Sequence, residues 1–428
     1  MERVVMENIV NTGGKIKNLR WIGLCLVFFM TFISNIDRAN FGVCTSVIMQ
    51  ELSLTPIQMG FITSGFSLAY AAFQIPGSLW VQKYGTRNVV AIAITFWSLF
   101  TLTTGLAAGF MTLLLSRIFF GFGEAPLYPG MNKYIFHWFP VQERGFANAM
   151  PNAGSFLSLI IAPPAIVFLL QTFGWRAVFF ICAALGLIGA ALWHHFTRNT
   201  PEEHSKITDE ECKYISENRQ VAVTGKSVPW SKMFKFRSFW CIGALYFCST
   251  FMLQYFVYWL PLFLQLQLHM DIKTMGNAAV LPWTFIFIAT MLVGKISDTL
   301  MKHGCSLFVS RNALILIAFT CSAISMYVGT TMTDAWSVVI CLSIALGFVG
   351  FSQTIPWAIA SDIGGEYTGV VSSWMNTWGQ VGAAVMATGT AWIGSTYGWN
   401  YTLFALIAVA CIGIVSCLLI NPKQKLNA

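Results

Sequence analysis

Charge is scarce in this sequence. Asp, Glu, Lys and Arg make up 10% of its 428 residues, against roughly 25% in a soluble domain. Too little polar surface remains to face water on all sides, which excludes an ordinary soluble globule. Paired cysteines are missing as well. The 11 cysteines are scattered singly, as at Cys25, Cys182, Cys321 and Cys411, with no CxxC and no Cys/His cluster. That argues against zinc sites and disulfide frameworks and leaves thiols that pack as small hydrophobes. A nucleotide loop is incomplete: Gly225-Lys226-Ser227 has its last residues, but Gln220 stands where the earlier glycine belongs, and no strand or helix signal frames it. No clustered nucleophile, base or metal ligands point to an enzyme. No cleavable signal is expected in residues 1–20, which are polar, and the first apolar run exceeds the roughly 7–15 residues of a signal core.

What the chain has in plenty is long apolar runs. It is 56% hydrophobic with a mean hydropathy of +0.66. A membrane span needs about 20 such residues, near 30 Å of helix. Twelve spans are expected, at 21–48, 57–81, 88–108, 110–133, 146–171, 175–197, 238–264, 275–301, 311–331, 335–361, 368–394 and 399–421. The runs are too long for barrel strands, so the fold class is an all-α membrane protein. Between the two sets of six lies a polar linker. The expected organisation is an N-terminal bundle over 1–197, a cytoplasmic linker over 198–237 and a C-terminal bundle over 238–428.

The charges that exist are unevenly placed. Lys15, Lys17, Arg20, Lys83, Arg87, Lys133, Arg144, the linker, Lys302, Arg311, Lys423 and Lys425 fall on one side of this topology. The other side holds little beyond Arg176 and Lys273. Basic loops face the cytoplasm, so both termini are expected inside. The net charge of +8 is then a topology signal rather than a nucleic-acid surface. Ser310-Arg311-Asn312 before the ninth span echoes Thr86-Arg87-Asn88 before the third. Two parallel six-helix halves place a substrate site between them, near the bilayer midplane.

The most informative residues are ionisable ones at membrane depth, each costing at least about 2.5–3.5 kcal/mol at the bilayer centre. The first span contains Asp37-Arg38, and the fourth contains Arg117 and Glu124. Arg117 and Glu124 share nearly one helix face, roughly 10 Å apart along the axis. In the second half, Asp271, Asp298, Asp334, Asp362 and Glu366 all sit at helix ends or in loops, and no histidine is mid-span. His194-His195 close the sixth span at headgroup level. Asp37 and Glu124 are therefore the candidate proton carriers, since a carboxylate exchanging between a dry cavity and an arginine can load and release a proton. Arg38 and Arg117 offer planar forks for a substrate carboxylate. A second reading stays open, in which all four residues are structural ion pairs between the first and fourth spans. Neighbours on a helix point about 100° apart, so one pair cannot satisfy Asp37 and Arg38 together.

The run Arg117-Ile-Phe-Phe-Gly-Phe-Gly-Glu-Ala-Pro-Leu-Tyr-Pro129, followed by Trp138-Phe-Pro-Val-Gln-Glu-Arg-Gly145, resembles the anion:cation symporter family of the major facilitator superfamily. Asp37-Arg38-Ala39-Asn40, Phe66 to Tyr70, Gln74-Ile-Pro-Gly77 and Ile207-Thr-Asp-Glu-Glu211 fit the same resemblance. Within it the chain looks like the bacterial sugar-acid/proton symporters that import galactonate, glucarate or hexuronates. The resemblance implies proton coupling at Asp37 and Glu124, substrate or coupling roles for Arg38 and Arg117, and substrate contacts at Tyr70 and Asn376. It implies a cytoplasmic gate involving Arg87, Asp298 and Arg144. There are departures. Ser78 and Gln82 stand where the superfamily usually has Gly and Asp, whereas Gly294 and Asp298 keep that pair in the second half. Asn35 and Ser155 stand where tyrosine and glutamine are common, and both fall in the expected pocket.

Gln254, Tyr255, Tyr258, Trp259, Gln353, Thr354 and Trp357 in the seventh and tenth spans suit a polyol chain, as do Asn376 and Trp378 in the eleventh; each also suits interface anchoring or helix bridging. Pro163-Pro164, Pro261, Pro282 and Pro356 are candidate helix breaks, and Gly105, Gly109, Gly121 and Gly123 are candidate close-packing points. The function expected is proton-coupled import of a small organic anion by alternating access, with protons in place of any cofactor. Substrate contacts are expected from Arg38, Arg117, Tyr70, Asn35, Ser155, Thr354, Trp357 and Asn376. A monomer in a bacterial inner membrane, touching lipid and a sugar-acid anion, completes the expectation. A passive uniporter or exchanger is the alternative, and an exporter of amphipathic compounds is a weaker one.

Overall fold

The structure, a computed structural model, describes residues 16–140, 143–218, 230–364 and 368–422. Gly225-Lys226-Ser227, Lys15, Glu366, Lys423 and Lys425 lie outside the described residues, as does part of the linker. The helices are α1 Leu19–Glu51, α2 Pro56–Tyr84, α3 Thr86–Gly105, α4 Phe110–Glu124, α5 Leu127–Trp138, α6 Arg144–Phe173 and α7 Trp175–Phe196. The linker contributes α8 Asp209–Asn218 and α9 Trp230–Lys235. The second half contributes α10 Arg237–Tyr258, α11 Leu260–Leu266, α12 Ile272–Ala278, α13 Val280–Lys302, α14 Leu314–Thr331, α15 Ala335–Gly364, α16 Thr368–Tyr397 and α17 Asn400–Leu418. Among the described residues there is no strand beyond an isolated bridge between Ile16 and Ile207.

Ten helical stretches are long and apolar enough to cross a membrane. Their ends fall within a few residues of the expected spans. The second and eleventh expected spans correspond to α2 and α16, with 29 and 30 residues, which are long enough but more polar. The reason is visible in their packing. Ser64 Oγ on α2 donates to Ala384 O on α16 at 2.6 Å and shares a 2.7 Å hydrogen bond with Thr388 Oγ1. These helices face each other across the two halves, so fewer of their side chains need to suit lipid.

Local chemistry sets several boundaries. α2 opens on a capping box: Thr55 Oγ1 accepts from Gln58 N at 3.2 Å, Gln58 Oε1 accepts from Thr55 N at 2.8 Å, and Pro56 occupies the first helical position. Of the candidate proline breaks, Pro163, Pro164 and Pro356 lie inside continuous helices. Helix boundaries fall just before Pro261 and Pro282. An unanticipated one falls at Ala125-Pro126, immediately after Glu124.

The linker is fastened to the first half. The buried Glu211 of α8 accepts from Leu19 N at 2.9 Å and from Arg20 Nη1 at 2.7 Å, so its carboxylate caps the N-terminus of α1. Arg20 Nε donates to Glu143 Oε2 at 2.9 Å, and Tyr214 Oη donates to Glu143 Oε1 at 3.1 Å. Glu211, the last residue of the linker's acidic run, therefore works as a helix cap.

The halves approach each other closely at one end. A Cβ on Gly42 would lie 2.3 Å from Val257 O, one on Gly60 2.7 Å from Ala387 O, and one on Gly276 2.7 Å from Val167 Cγ2. All three approaches lie at the end remote from Leu19 and Leu418. At the terminus-bearing end, Arg87 Nε donates to His194 O at 3.0 Å inside the first half, and Arg144 Nη2 donates to Phe136 O at 2.8 Å among its bonds. On the expected sidedness this is an inward-facing arrangement. Gly60→Leu is expected to hold the far end apart, because backbone cannot yield as a flexible side chain can. Distances between spin labels on the far ends of α2 and α16 should lengthen; an unchanged distribution would show that the far-end seam tolerates the bulk.

Candidate functional site

The four ionisable residues of the first half come together as two separate sets. α1 carries Asp37 and Arg38 on neighbouring faces, and α4 brings Arg117 and Glu124 against it. Glu124 has no exposure to solvent. Arg38 Nε donates to its two oxygens at 2.9 and 3.1 Å, and Ser34 Oγ donates to Oε1. Ser34 lies one helical turn before Arg38, so α1 presents both donors from one face. The helix ends right at Glu124, which aims its carboxylate at α1.

Arg38 uses only its Nε edge on Glu124. Its Nη2 is buried without a hydrogen-bond partner. The guanidinium lies over the rings of Phe66 and Tyr70, at 5.3 and 5.0 Å from their centroids. Tyr70 is thus placed beside the guanidinium of Arg38.

The second set is less complete. Arg117 Nη1 donates to the backbone oxygen of Asp37 at 3.4 Å, while Arg117 Nε and Nη2 have no partner. Phe41, Phe120 and Phe179 surround its guanidinium, the nearest centroid at 4.3 Å. Asp37 is fully enclosed, and neither of its carboxylate oxygens accepts a hydrogen bond. Burial of an ionised carboxylate without donors is costly. Of the open alternatives, a purely structural ion-pair set fits Arg38 and Glu124 but leaves Asp37 without its donors.

Asn35 and Ser155, the two departures from the common pattern, meet. Asn35 Nδ2 donates to Ser155 Oγ at 2.9 Å, and Ser155 Oγ shares a 2.7 Å hydrogen bond with Tyr128 Oη. This joins α1, α5 and α6 in one polar patch, with Tyr128 four residues beyond Glu124. Across the halves, Tyr258 of α10 lies within electrostatic reach of both Arg38 and Arg117. On α15, Trp357 is exposed and its Nε1 donates to Tyr246 Oη at 3.2 Å. Thr354 Oγ1 turns back to Gly350 O at 3.0 Å. Asn376 is half-buried on α16.

Among the gate residues, Arg87 and Asp298 show no described bond to the opposite half. Arg87 and Arg144 make the bonds described above. Asp298 is exposed. Arg311, at the matching place in the second half, donates through Nε to Asp362 Oδ2 at 3.0 Å and through Nη1 to Ser297 Oγ. Asp362 and Ser297 hold Arg311. Ser34, Tyr128, Ser297 and Tyr246 were not singled out from sequence. The i, i+4 spacing of Ser34 and Arg38 was the one signal that could have found the first.

A profile of the Major Facilitator Superfamily matches residues 27–387. The chain is 29% identical over 95% of its length to a probable sulfoacetate transporter of Cupriavidus necator, covering 94% of that protein. It is 30% identical over 97% of its length to a probable galactarate/D-glucarate transporter of Bacillus subtilis, covering 95% of it. Among solved structures it is similar to a bacterial homologue of the human lysosomal transporter Spinster, inward-facing and occupied. That likeness has a TM-score of 0.78 and 17% identity, and covers 94% of this chain and 96% of the other.

Proposed function

The chain belongs to the Major Facilitator Superfamily, and from that premise we propose that it imports a small organic anion, a sugar acid such as a hexonate or hexuronate, together with protons. It is a multi-pass membrane transporter, not an enzyme. The proposal places it in a bacterial cell membrane. The observation that carries the reading is the unfinished pairing in the first half: Arg38 holds Glu124 by one edge with Nη2 unfilled, and Asp37 lacks a donor to either oxygen. An anionic relative's substrate fits the same need, since the similar proteins are named for sulfoacetate and for galactarate or D-glucarate.

The cycle runs as a competition for arginine. A substrate carboxylate takes the fork of Arg38, Glu124 loses its cationic partner, and a proton replaces that partner. Asp37 takes its proton in an enclosed site where its oxygens accept no close hydrogen bond, and the nearby Arg117 charge senses the change directly. The hydroxyls of the substrate meet Tyr70, Asn35, Ser155, Thr354, Trp357 and Asn376. Rocking of the halves then exposes the loaded site to the other side, with Arg87, Arg144 and Asp298 at the gate.

Uptake of labelled sugar acids into proteoliposomes tests this. Accumulation of at least one of them under an inward-acid gradient, lost when the gradient is collapsed, is the expected result. Uptake indifferent to the gradient would make the protein a facilitator or exchanger. Accumulation driven by a sodium gradient alone would replace the proton.

A further inference from the structure

Two hollows lie on the outer surface of the first half, away from the site above. One, of about 580 Å³, is lined by Arg87, His194 and His195 with Ile188 and Phe196. The other, of about 430 Å³, runs on between α3 and α7 past Ile92, Phe96 and Leu99. Ala191 and His194 line both, so they form one groove. Its two ends differ in chemistry. The basic end lies where α3 begins and α7 ends, which is headgroup level. The apolar end follows the exposed side chains of Ile92 and Leu99 towards the membrane interior.

The basic end is built rather than incidental. Arg87 Nε is anchored on His194 O at 3.0 Å, and Arg198 Nη1 on Thr197 O at 2.7 Å. Both guanidiniums are thereby fixed at the C-terminus of α7, where cations are favoured. The terminal nitrogens of Arg87 make no described hydrogen bond. Burial first and the nearby Arg87 charge second hold Arg198 below its usual value, with Glu203 opposing them, so two cations share the spot and Arg198 stands beside the groove that Arg87 lines. The acid beside them, Glu203, accepts from Asn199 N at 3.2 Å.

We propose that this groove is a binding site for an anionic glycerophospholipid, with the headgroup phosphate on Arg87 and Arg198 and one acyl chain along the slot of Ile92, Phe96 and Leu99. A basic recess at a cytoplasmic helix end selects anionic headgroups. The guanidinium fork suits phosphate. The apolar slot distinguishes a lipid from a soluble phosphate. The site joins α3 to α7 on the outer face of the first half and shares Arg87 with the proposed gate.

Native mass spectrometry of the purified full chain, titrated with phosphatidylglycerol, phosphatidylcholine or glycerol 3-phosphate, tests the assignment. Phosphatidylglycerol should bind in a saturable 1:1 step, and the other two should not compete for it. Arg87→Gln with Arg198→Gln should weaken that step by roughly thirtyfold, at about fivefold per basic residue near a charged surface. Because those arginines also cap α7, Ala191→Trp provides a second variant. It fills the lipid-facing junction of the hollows without removing a charge, and should abolish the step. Equal binding of phosphatidylcholine, full competition by glycerol 3-phosphate, or unchanged phosphatidylglycerol binding in both variants would each overturn the proposal.

Discussion

Glu124→Gln is expected to abolish concentrative uptake while leaving exchange of substrate across the membrane intact. The glutamine keeps an oxygen for Arg38 Nε and for Ser34 Oγ, so the shape of the site survives. It removes the negative charge that a proton would neutralise. Each pH unit of gradient is worth about 1.4 kcal/mol per coupled proton, or about tenfold in accumulation. Under a gradient of about two units, one proton therefore sustains roughly a hundredfold concentration ratio, and its loss should bring the ratio to about one. Internal and external substrate are measured at steady state in the same vesicles, alongside counterflow. A variant that still concentrates its substrate a hundredfold would place the coupling proton elsewhere. A variant that neither concentrates nor exchanges would show that Glu124 builds the site.

The second large effect is expected at Arg38. Arg38→Lys conserves charge but not the fork. Arg38 uses Nε for Glu124 and has Nη2 left over, with its guanidinium over the rings of Phe66 and Tyr70. A lysine has one compact ammonium, which cannot hold Glu124 and a second carboxylate in these two directions. A charge-assisted hydrogen bond is worth about 1.5–3 kcal/mol, so substrate affinity should fall at least tenfold. Calorimetric titration of the detergent-solubilised variant reads this directly. Unchanged affinity would remove Arg38 from the anion clamp and shift that role to Arg117, whose Nε and Nη2 also lack partners.

The spans and the presence of Asp37, Arg38, Arg117 and Glu124 at membrane depth were legible in the sequence because both follow from one cost: lipid excludes backbone and charge alike. Their partners were not. Spacing along α4 set Arg117 and Glu124 on one face, but it carries no information on which α1 residue each meets. That depends on how α4 ends, and the boundary at Ala125-Pro126 directly after Glu124 was not anticipated. The repeat signal likewise set Arg311 opposite Arg87 but named no partner for it; Arg311 bonds to Asp362, far along the chain and reachable only once α15 is folded beside it. The linker motif ending in Glu211 was readable as a family mark, while its physical task as the cap of α1 needed the fold.

The placement of the acids has an evolutionary consequence. Among the described residues of the second half, Asp271, Asp298, Asp334 and Asp362 all sit near helix ends, away from the bilayer centre. What that half offers at depth is neutral, such as Gln254, Tyr258, Gln353 and Trp357. On the reading given above, coupling rests on the first half alone, while recognition of the cargo is shared between the halves. Selection can rewrite α10, α15 and α16 to adjust the fit of a new molecule without touching the carboxylates that drive it uphill. Descendants of such a chain would diverge fastest in what they carry and slowest in how they are powered.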